Sequence, residues 1–113
     1  MNGNRSYILL GTVVVAAFAV VSAPSTRADD TGEKLYASKC AACHGPDGKG
    51  QTAMGKSNKL RDLASAEVQK LSDEDLSTII SSGKNKMPAY GKSLKPDQIK
   101  ELVAYVRAFG KKS

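Results

Sequence analysis

Both cysteines of the chain and its only histidine stand within five residues, Cys40-Ala-Ala-Cys43-His44. The order C-x-x-C-H is typical of covalent haem attachment. Each thiol can form a thioether with one vinyl group of the porphyrin, and the histidine that follows can supply an axial nitrogen ligand to the iron. We therefore predict one covalently bound haem c, attached at Cys40 and Cys43 and ligated by His44, and a polypeptide that must fold around it.

Three other interpretations of a C-x-x-C pair compete with this one: a structural disulfide, a thioredoxin-like redox pair and part of a zinc site. Zinc usually takes four ligands from Cys and His, and the chain has only three such residues. A redox pair belongs in a βαβ context, and no strand-like pattern surrounds the motif. A disulfide would leave the adjacent histidine unexplained. Haem attachment is the favoured interpretation.

The N-terminal segment has the layout of a secretory signal peptide. A positive residue precedes a run of apolar side chains over residues 7–21, and small or polar residues follow. Cleavage after Ala28 fits better than cleavage after Ala23, which would leave a proline at the new terminus. The apolar run is short for a membrane span of about 20 residues. We predict a signal peptide over 1–28 and a single mature domain over 29–113, with a retained membrane anchor as the alternative.

Export is consistent with the size and the cysteine content of the mature domain. A domain this short buries little apolar surface by itself and usually needs an additional stabilising element. A buried porphyrin would add apolar volume to the core. Two thioethers would leave no free thiol in an oxidising compartment. The expected location is the periplasm, or the thylakoid lumen if the host is a phototroph.

The charge of the mature domain is moderately positive. From residue 29 onward, 15 basic and 11 acidic residues give a formal charge of +4. The lysines are scattered among acids, and no basic stretch carries stacking aromatics, so nucleic-acid binding is not indicated. An ordinary solvated surface accounts for such a distribution. The functional alternative is a monomer steered to transient contacts with acidic redox partner proteins, through lysines near the haem edge: Lys39, Lys49, Lys84, Lys86 and Lys92.

No segment of the mature domain alternates at period two, so the chain is predicted to be all-α. We expect Asp30 to cap a first helix, with Glu33 as its capping-box partner, and this helix to run to the haem motif. The glycine-rich stretch over residues 45–50 then ends it. Residues 51–60 show no periodicity and are expected to be a loop.

Three further helices are predicted downstream. A short one is expected over residues 65–71, and a clearer one begins after the N-cap Ser72 and stops at Gly83. Residues 84–94 form a loop. The last helix starts with Pro96, and its broad apolar face contains Ile99, Leu102, Val103, Val106 and Phe109.

The second axial ligand is the next candidate residue. The mature domain contains two methionines, Met54 and Met87, and a thioether ligand raises the potential of a His-ligated haem iron. Met87 is favoured because it lies in a long loop between helices, where Pro88 stiffens the backbone. We also expect the second ring nitrogen of His44 to donate to a backbone carbonyl, with that of Pro46 as a candidate.

These features resemble the small mono-haem class I c-type cytochromes of bacteria. The resemblance covers residues 30–113 and is carried by the C-x-x-C-H motif, by the downstream Met-Pro pair and by the two terminal helices. Gly32 and Tyr36 match a glycine and an aromatic on the first helix of that family, and Leu102 and Tyr105 match a Leu and an aromatic on the last. The resemblance implies terminal helices that pack crosswise around a covalently bound haem.

With His44 and Met87 both on the iron, the expected function is one-electron transfer by a carrier and not enzymatic catalysis. Two rivals are a five-coordinate haem protein that binds gas or reduces peroxide, and a dedicated electron-transfer subunit of a larger oxidoreductase complex. A five-coordinate protein would need an open position on the iron. A dedicated subunit would need a permanent partner.

Overall fold

The computed structural model describes residues 11–20 and 28–112. Six helices form in this part of the chain, and it contains no strand, which confirms the all-α prediction. The helices are α1 (Ala28–Lys39), α2 (Ala41–His44), α3 (Ala53–Ser57), α4 (Ala66–Gln69), α5 (Asp73–Ser82) and α6 (Pro96–Lys111). Residues 11–20 have no regular structure and are exposed. Among the described residues, no helix combines the length and the apolar character that crossing a bilayer requires.

The three middle helices begin at hydroxyl caps. The side chains of Thr52, Ser65 and Ser72 each accept a hydrogen bond from the backbone N–H three residues further on, which satisfies a donor that has no partner inside the helix. Helix α5 also carries three acids in its first turn, where they interact favourably with the helix dipole. At Gly83 this helix stops, as predicted, with a positive φ of 74°.

Two local predictions were wrong. Asp30 does not cap the first helix, because α1 already includes Ala28 and Asp30 lies inside it. Residues 51–60 are not all loop, because α3 forms after Thr52. A helix of only five residues is too short to show the periodicity by which helices are recognised in a sequence.

The terminal helices pack against each other at Gly32, which confirms this part of the family resemblance. A Cβ atom on Gly32 would lie 2.7 Å from the backbone oxygen of Glu101, so the absent side chain lets α1 approach the backbone of α6. One turn further along α1, the ring of Tyr36 lies 4.9 Å from that of Tyr105 and 5.3 Å from that of Phe109, measured between centroids. Aromatic rings at these separations attract one another beyond the burial of their area.

Helix α6 is also fastened to the connection between α4 and α5. The guanidinium of Arg107 donates to the carbonyl oxygens of Gln69, at 2.8 Å, and Leu71, and it pairs with the Asp73 carboxylate at 2.8 Å. The amide of Gln69 donates in turn to the carbonyl of Val106 at 3.0 Å. These bonds hold the segment before α5 against the last helix.

The apolar core lies between α6 and the segments that surround it. All five residues predicted for the apolar face of α6 are buried, and side chains from α1, α4, α5 and the loop before α6 join them. The additional buried apolar side chains are Tyr36, Val68, Leu76, Ile80 and Leu94.

Replacing Gly32 by alanine tests the close helix crossing. In an open helix this change would stabilise the protein by about 1 kcal/mol through helix propensity. Here the added Cβ meets backbone, so we expect unfolding free energy to fall by about 1–3 kcal/mol, as measured by urea denaturation. Ala37→Ser, at an exposed position of the same helix, is the control and should stay within about 0.5 kcal/mol. A stabilising Gly32→Ala would show that the helices do not touch there.

Candidate haem-binding site

A cavity of about 500 Å³ lies among the helices, within the size range of ligand sites in proteins. Cys40, Cys43 and His44 line it, and so does Met87. Most of the remaining wall is apolar and is formed by Leu60, Leu63, Val68, Leu71, Leu76, Ile79, Ile80, Leu102 and Val106. Two thiols, an imidazole and a thioether facing one apolar cavity are the donor set and surroundings that suit a haem.

The C-x-x-C-H motif spans a change of direction between two helices. Helix α1 ends at Lys39, Cys40 lies in the turn, and α2 carries Cys43 and His44. The backbone N–H groups of Cys43 and His44 both donate to the Cys40 carbonyl, at 3.2 and 2.9 Å. The motif is thus one tight turn that brings all three functional side chains to the same cavity.

The surroundings of the two thiols differ from those of the competing site types. Burial raises the pKa of the Cys40 thiol to about 11, whereas redox-active cysteine pairs carry a thiol of lowered pKa. Cys40 and Cys43 are not joined to each other. Within residues 11–20 and 28–112, no group of three or more Cys, His, Asp or Glu side chains could hold a metal ion.

Three consecutive backbone carbonyls, those of the last two motif residues and of Gly45 directly after them, each accept a hydrogen bond from another segment. The Thr52 hydroxyl donates to the Cys43 carbonyl at 2.6 Å, and the backbone N–H of Gly50 donates to that of His44 at 2.7 Å. The buried hydroxyl of Tyr36 donates to the carbonyl of Gly45 at 2.7 Å. The backbone that carries the thiols and the imidazole is therefore anchored on every residue from 43 to 45.

Helix α3 supports this anchoring by packing directly on the motif. A Cβ on Gly55 would lie 2.2 Å from the backbone oxygen of Gly50 and 2.8 Å from that of Cys43. Thr52, the N-cap of the same helix, makes the hydrogen bond to Cys43 described above. Thr52 and Gly55 were not among the predicted site residues, and the Thr-x-x-Gly spacing that begins α3 is the local signal that could have indicated them.

His44 is half-buried, and burial lowers the pKa of its imidazole. The neutral ring, which is the form that binds metals, is therefore favoured near neutral pH. Its Nδ1 atom has no hydrogen-bond partner among the described residues, so the expected bond to the Pro46 carbonyl is not formed. Pro46 is instead exposed in a turn that the N–H of Gly48 closes on the carbonyl of Gly45, at 3.1 Å.

Met87 lies in a tight turn directly after α5. Its backbone N–H donates to the Lys84 carbonyl at 2.9 Å, and the N–H of Lys84 donates back at 3.3 Å. A Cβ on Gly83 would lie 2.5 Å from the Met87 oxygen, so only glycine lets the turn lie this close to the end of the helix. Met54, by contrast, is 55 % exposed on α3 and does not line the cavity.

Five cationic side chains line the cavity, and none of its lining residues is acidic. Three of them, Lys39, Lys84 and Lys86, were predicted from the sequence. The other two, Lys59 and Arg61, were not, and they follow α3. The two remaining candidates, Lys49 and Lys92, are exposed but do not line the cavity. We call these five lining residues (Lys39, Lys59, Arg61, Lys84 and Lys86) the cationic rim. Arg61 also lies 3.3 Å from the exposed carboxylate of Glu67, a pairing of little energetic weight.

Comparison with known proteins gives a family match and several similar proteins. The protein family described as "Cytochrome C oxidase, cbb3-type, subunit III" matches residues 27–106. Cytochrome c6 from Nostoc sp. PCC 7120 is 37 % identical over 102 residues, which cover 89 % of this chain and 87 % of that protein. The chain belongs to the class I c-type cytochromes.

Further relatives of this cytochrome are of two kinds. The solved structure of the KustC0563 c-type cytochrome has a TM-score of 0.65 and 40 % identity, and the match covers 69 % of this chain and 95 % of that one. The cbb3-type cytochrome c oxidase subunit FixP of Azorhizobium caulinodans is 35 % identical over 89 residues. That match covers 75 % of this chain but only 28 % of FixP.

Family membership settles the chemical class of the protein. The cytochrome carries one covalently bound haem c, and it is an electron-transfer protein rather than an enzyme. The predictions of the family, the all-α fold and the cofactor are thereby confirmed.

Proposed function

We propose that this cytochrome is an exported, soluble electron carrier whose haem is attached at Cys40 and Cys43 and ligated by His44 and Met87. The observation that carries the proposal is that these four side chains line a single cavity with apolar walls. Bound haem supplies one-electron exchange between ferric and ferrous iron. The match over 87 % of a cytochrome c6 supports a carrier of this size class.

The chain's own residues would shape this chemistry in three ways. The Met87 sulfur favours ferrous iron and raises the reduction potential. The apolar wall excludes water and keeps the local dielectric constant low, which strengthens the effect of nearby charges. With His44 and Met87 both committed as ligands, neither redox state has to gain or lose one, so an electron can pass with little rearrangement of the protein.

Replacing each methionine separately tests the ligand assignment. Met87→Ala should convert the optical spectrum of a low-spin, methionine-ligated haem into that of a weakly ligated or high-spin one, because the sulfur is removed from the cavity. Met54→Ala is the matched control and should leave the spectrum unchanged, since Met54 is exposed and outside the cavity.

An unchanged spectrum in Met87→Ala would exclude Met87 as a ligand. A high-spin spectrum already present in the wild-type protein would favour the five-coordinate alternative, in which the haem binds gas or reduces peroxide.

A second candidate function is supported by the oxidase relatives. The family match and the similarity to FixP are compatible with a role as an electron-transfer subunit that remains bound to one complex. A carrier should purify alone at low salt, whereas a dedicated subunit should co-purify with the same partner at both low and high salt.

We also propose that the cationic rim steers acidic partners to the cavity. Its charges come from three separate segments, the end of α1, the segment after α3 and the methionine turn, and no acid among the lining residues offsets them. Attraction of this kind raises association rates more than it raises affinity, and it is screened by salt. Docking would therefore be fast, transient and sensitive to ionic strength.

A pair of charge reversals tests this steering. Lys84→Glu combined with Lys86→Glu should lower the second-order rate of reaction with the anionic oxidant hexacyanoferrate(III) by about three- to tenfold at low ionic strength. Lys100→Glu combined with Lys111→Glu changes the net charge equally at exposed positions away from the cavity, and should have a smaller effect.

The two double variants should converge with the wild type near 1 M salt, where the screening length is about 3 Å. Equal losses of rate in both pairs would show that only the net charge matters and that the rim has no special role.

Export is supported by the N-terminal pattern and by residues 11–20, in which the large apolar side chains are exposed. Val13, Val14, Val15, Phe18 and Val20 are 81–91 % exposed and do not join the core. Residues 21–27, which contain most of the predicted cleavage region, lie outside the described residues. If the segment is a signal peptide, N-terminal sequencing of the purified cytochrome should begin at Asp29. A sequence that begins near Met1 would show that the segment is retained.

A further inference from the structure

Tyr90, three residues after Met87, connects the methionine turn to other parts of the fold through each of its polar groups. Its backbone N–H donates to the Ile80 carbonyl of α5 at 3.0 Å, and its carbonyl accepts from the N–H of Leu94 at 2.9 Å. Its side chain is half-buried and lines the cavity. Its hydroxyl donates to the Lys39 carbonyl at 3.0 Å.

The position of Lys39 gives this last bond its significance. Lys39 is the final residue of α1 and directly precedes Cys40. The last carbonyls of a helix have no partner within it, so the Tyr90 hydroxyl satisfies a group that the fold would otherwise leave to water. The same bond joins the segment that follows the methionine turn to the residue next to Cys40, the first haem-attachment cysteine.

No equivalent connection exists elsewhere in the described chain. Among the described residues, the bond from Tyr90 to Lys39 is the only hydrogen bond or ion pair that joins residues 84–95 to residues 31–50. The remaining bonds of residues 84–95 are internal, lead to α5 or, at Lys95, lead to the first turn of α6. Without the hydroxyl, no hydrogen bond would join the methionine turn directly to the haem-attachment end of α1. Only side-chain packing and the haem bound by both would then hold these two parts together.

We propose that Tyr90 is a positioning residue. Its hydrogen bond to Lys39, which we call the latch, holds the methionine turn near the haem-attachment end of α1 and so keeps Met87 within reach of the iron. The latch rests on the proposed role of Met87 as a ligand. The hydrogen bond lowers the population of an open state, in which the turn that carries Met87 has moved away from the end of α1 next to Cys40. An external ligand competes for the iron only in that open state, so its apparent affinity reports the open population.

Imidazole binding to the ferric holoprotein measures this population. Tyr90→Phe keeps the ring and its packing but removes the hydroxyl, so imidazole should bind about three- to tenfold more tightly, the factor expected from losing one ordinary hydrogen bond. Tyr105→Phe is the matched control: it removes a phenol hydroxyl that makes no hydrogen bond to any described residue and does not line the cavity. Its imidazole affinity should equal that of the wild type.

Two further variants separate the latch from general stability and from the ligand assignment. Val103→Ala lowers stability by removing apolar volume from the core at a buried position of α6 that does not line the cavity, and should leave imidazole affinity unchanged. An unchanged affinity in Tyr90→Phe, or an equal rise in Val103→Ala, would overturn the latch while leaving Met87 as the ligand. A Met87→Ala spectrum identical to wild type would remove the proposed ligand and the latch together.

Discussion

The contact between Gly32 and the backbone of Glu101 is the constraint on which the site depends. Because α1 can approach α6 this closely, Tyr36 is carried into the core, where its ring packs on Tyr105 and Phe109. From there its hydroxyl reaches the Gly45 carbonyl, directly after the histidine of the motif. The packing of two helices thus fixes the backbone that presents the haem-binding side chains.

The attachment motif is held at its carbonyls rather than at its side chains, and this division has a chemical reason. The thiols of Cys40 and Cys43 and one ring nitrogen of His44 are needed for the haem, so these atoms are not available for structural hydrogen bonds. Backbone carbonyls buried without partners would cost about 1–3 kcal/mol each. Donors from α1 and from the segment of residues 50–52 remove that cost and leave the functional atoms facing the cavity.

The parts of the fold that were predicted correctly have strong local signals. Ser72 and Gly83 mark the ends of α5 by hydroxyl capping and positive φ, and Pro96 starts α6. The C-x-x-C-H motif is continuous in sequence, so the attachment region and its neighbouring helix could be located without knowing any long-range contact. Hydrophobic periodicity was sufficient for α6 because the helix is long enough to repeat its apolar face four times.

The parts that were missed depend on contacts between distant segments. Thr52 bonds to Cys43, and Arg107 bonds to Gln69 and Leu71 across more than 30 residues. In each case the sequence around one residue contains no pattern that indicates its hydrogen-bond partner. The error at Pro46 is of the same kind: proximity in sequence to His44 suggested a bond, but the turn at Gly45 leaves the ring nitrogen without it. Lys59 and Arg61 join the rim only because α3 folds back on the motif.

The extent of the cavity also explains how one domain can resemble both a small carrier and a part of an oxidase subunit. Every lining residue lies between Tyr36 and Val106, inside the 27–106 segment that matches the oxidase family. The matched segment therefore contains the complete cavity, with both candidate axial ligands and the cationic rim. A domain that contains its whole haem cavity can be used by itself or as part of a longer chain, because function depends on the site and its surroundings rather than on the fold alone.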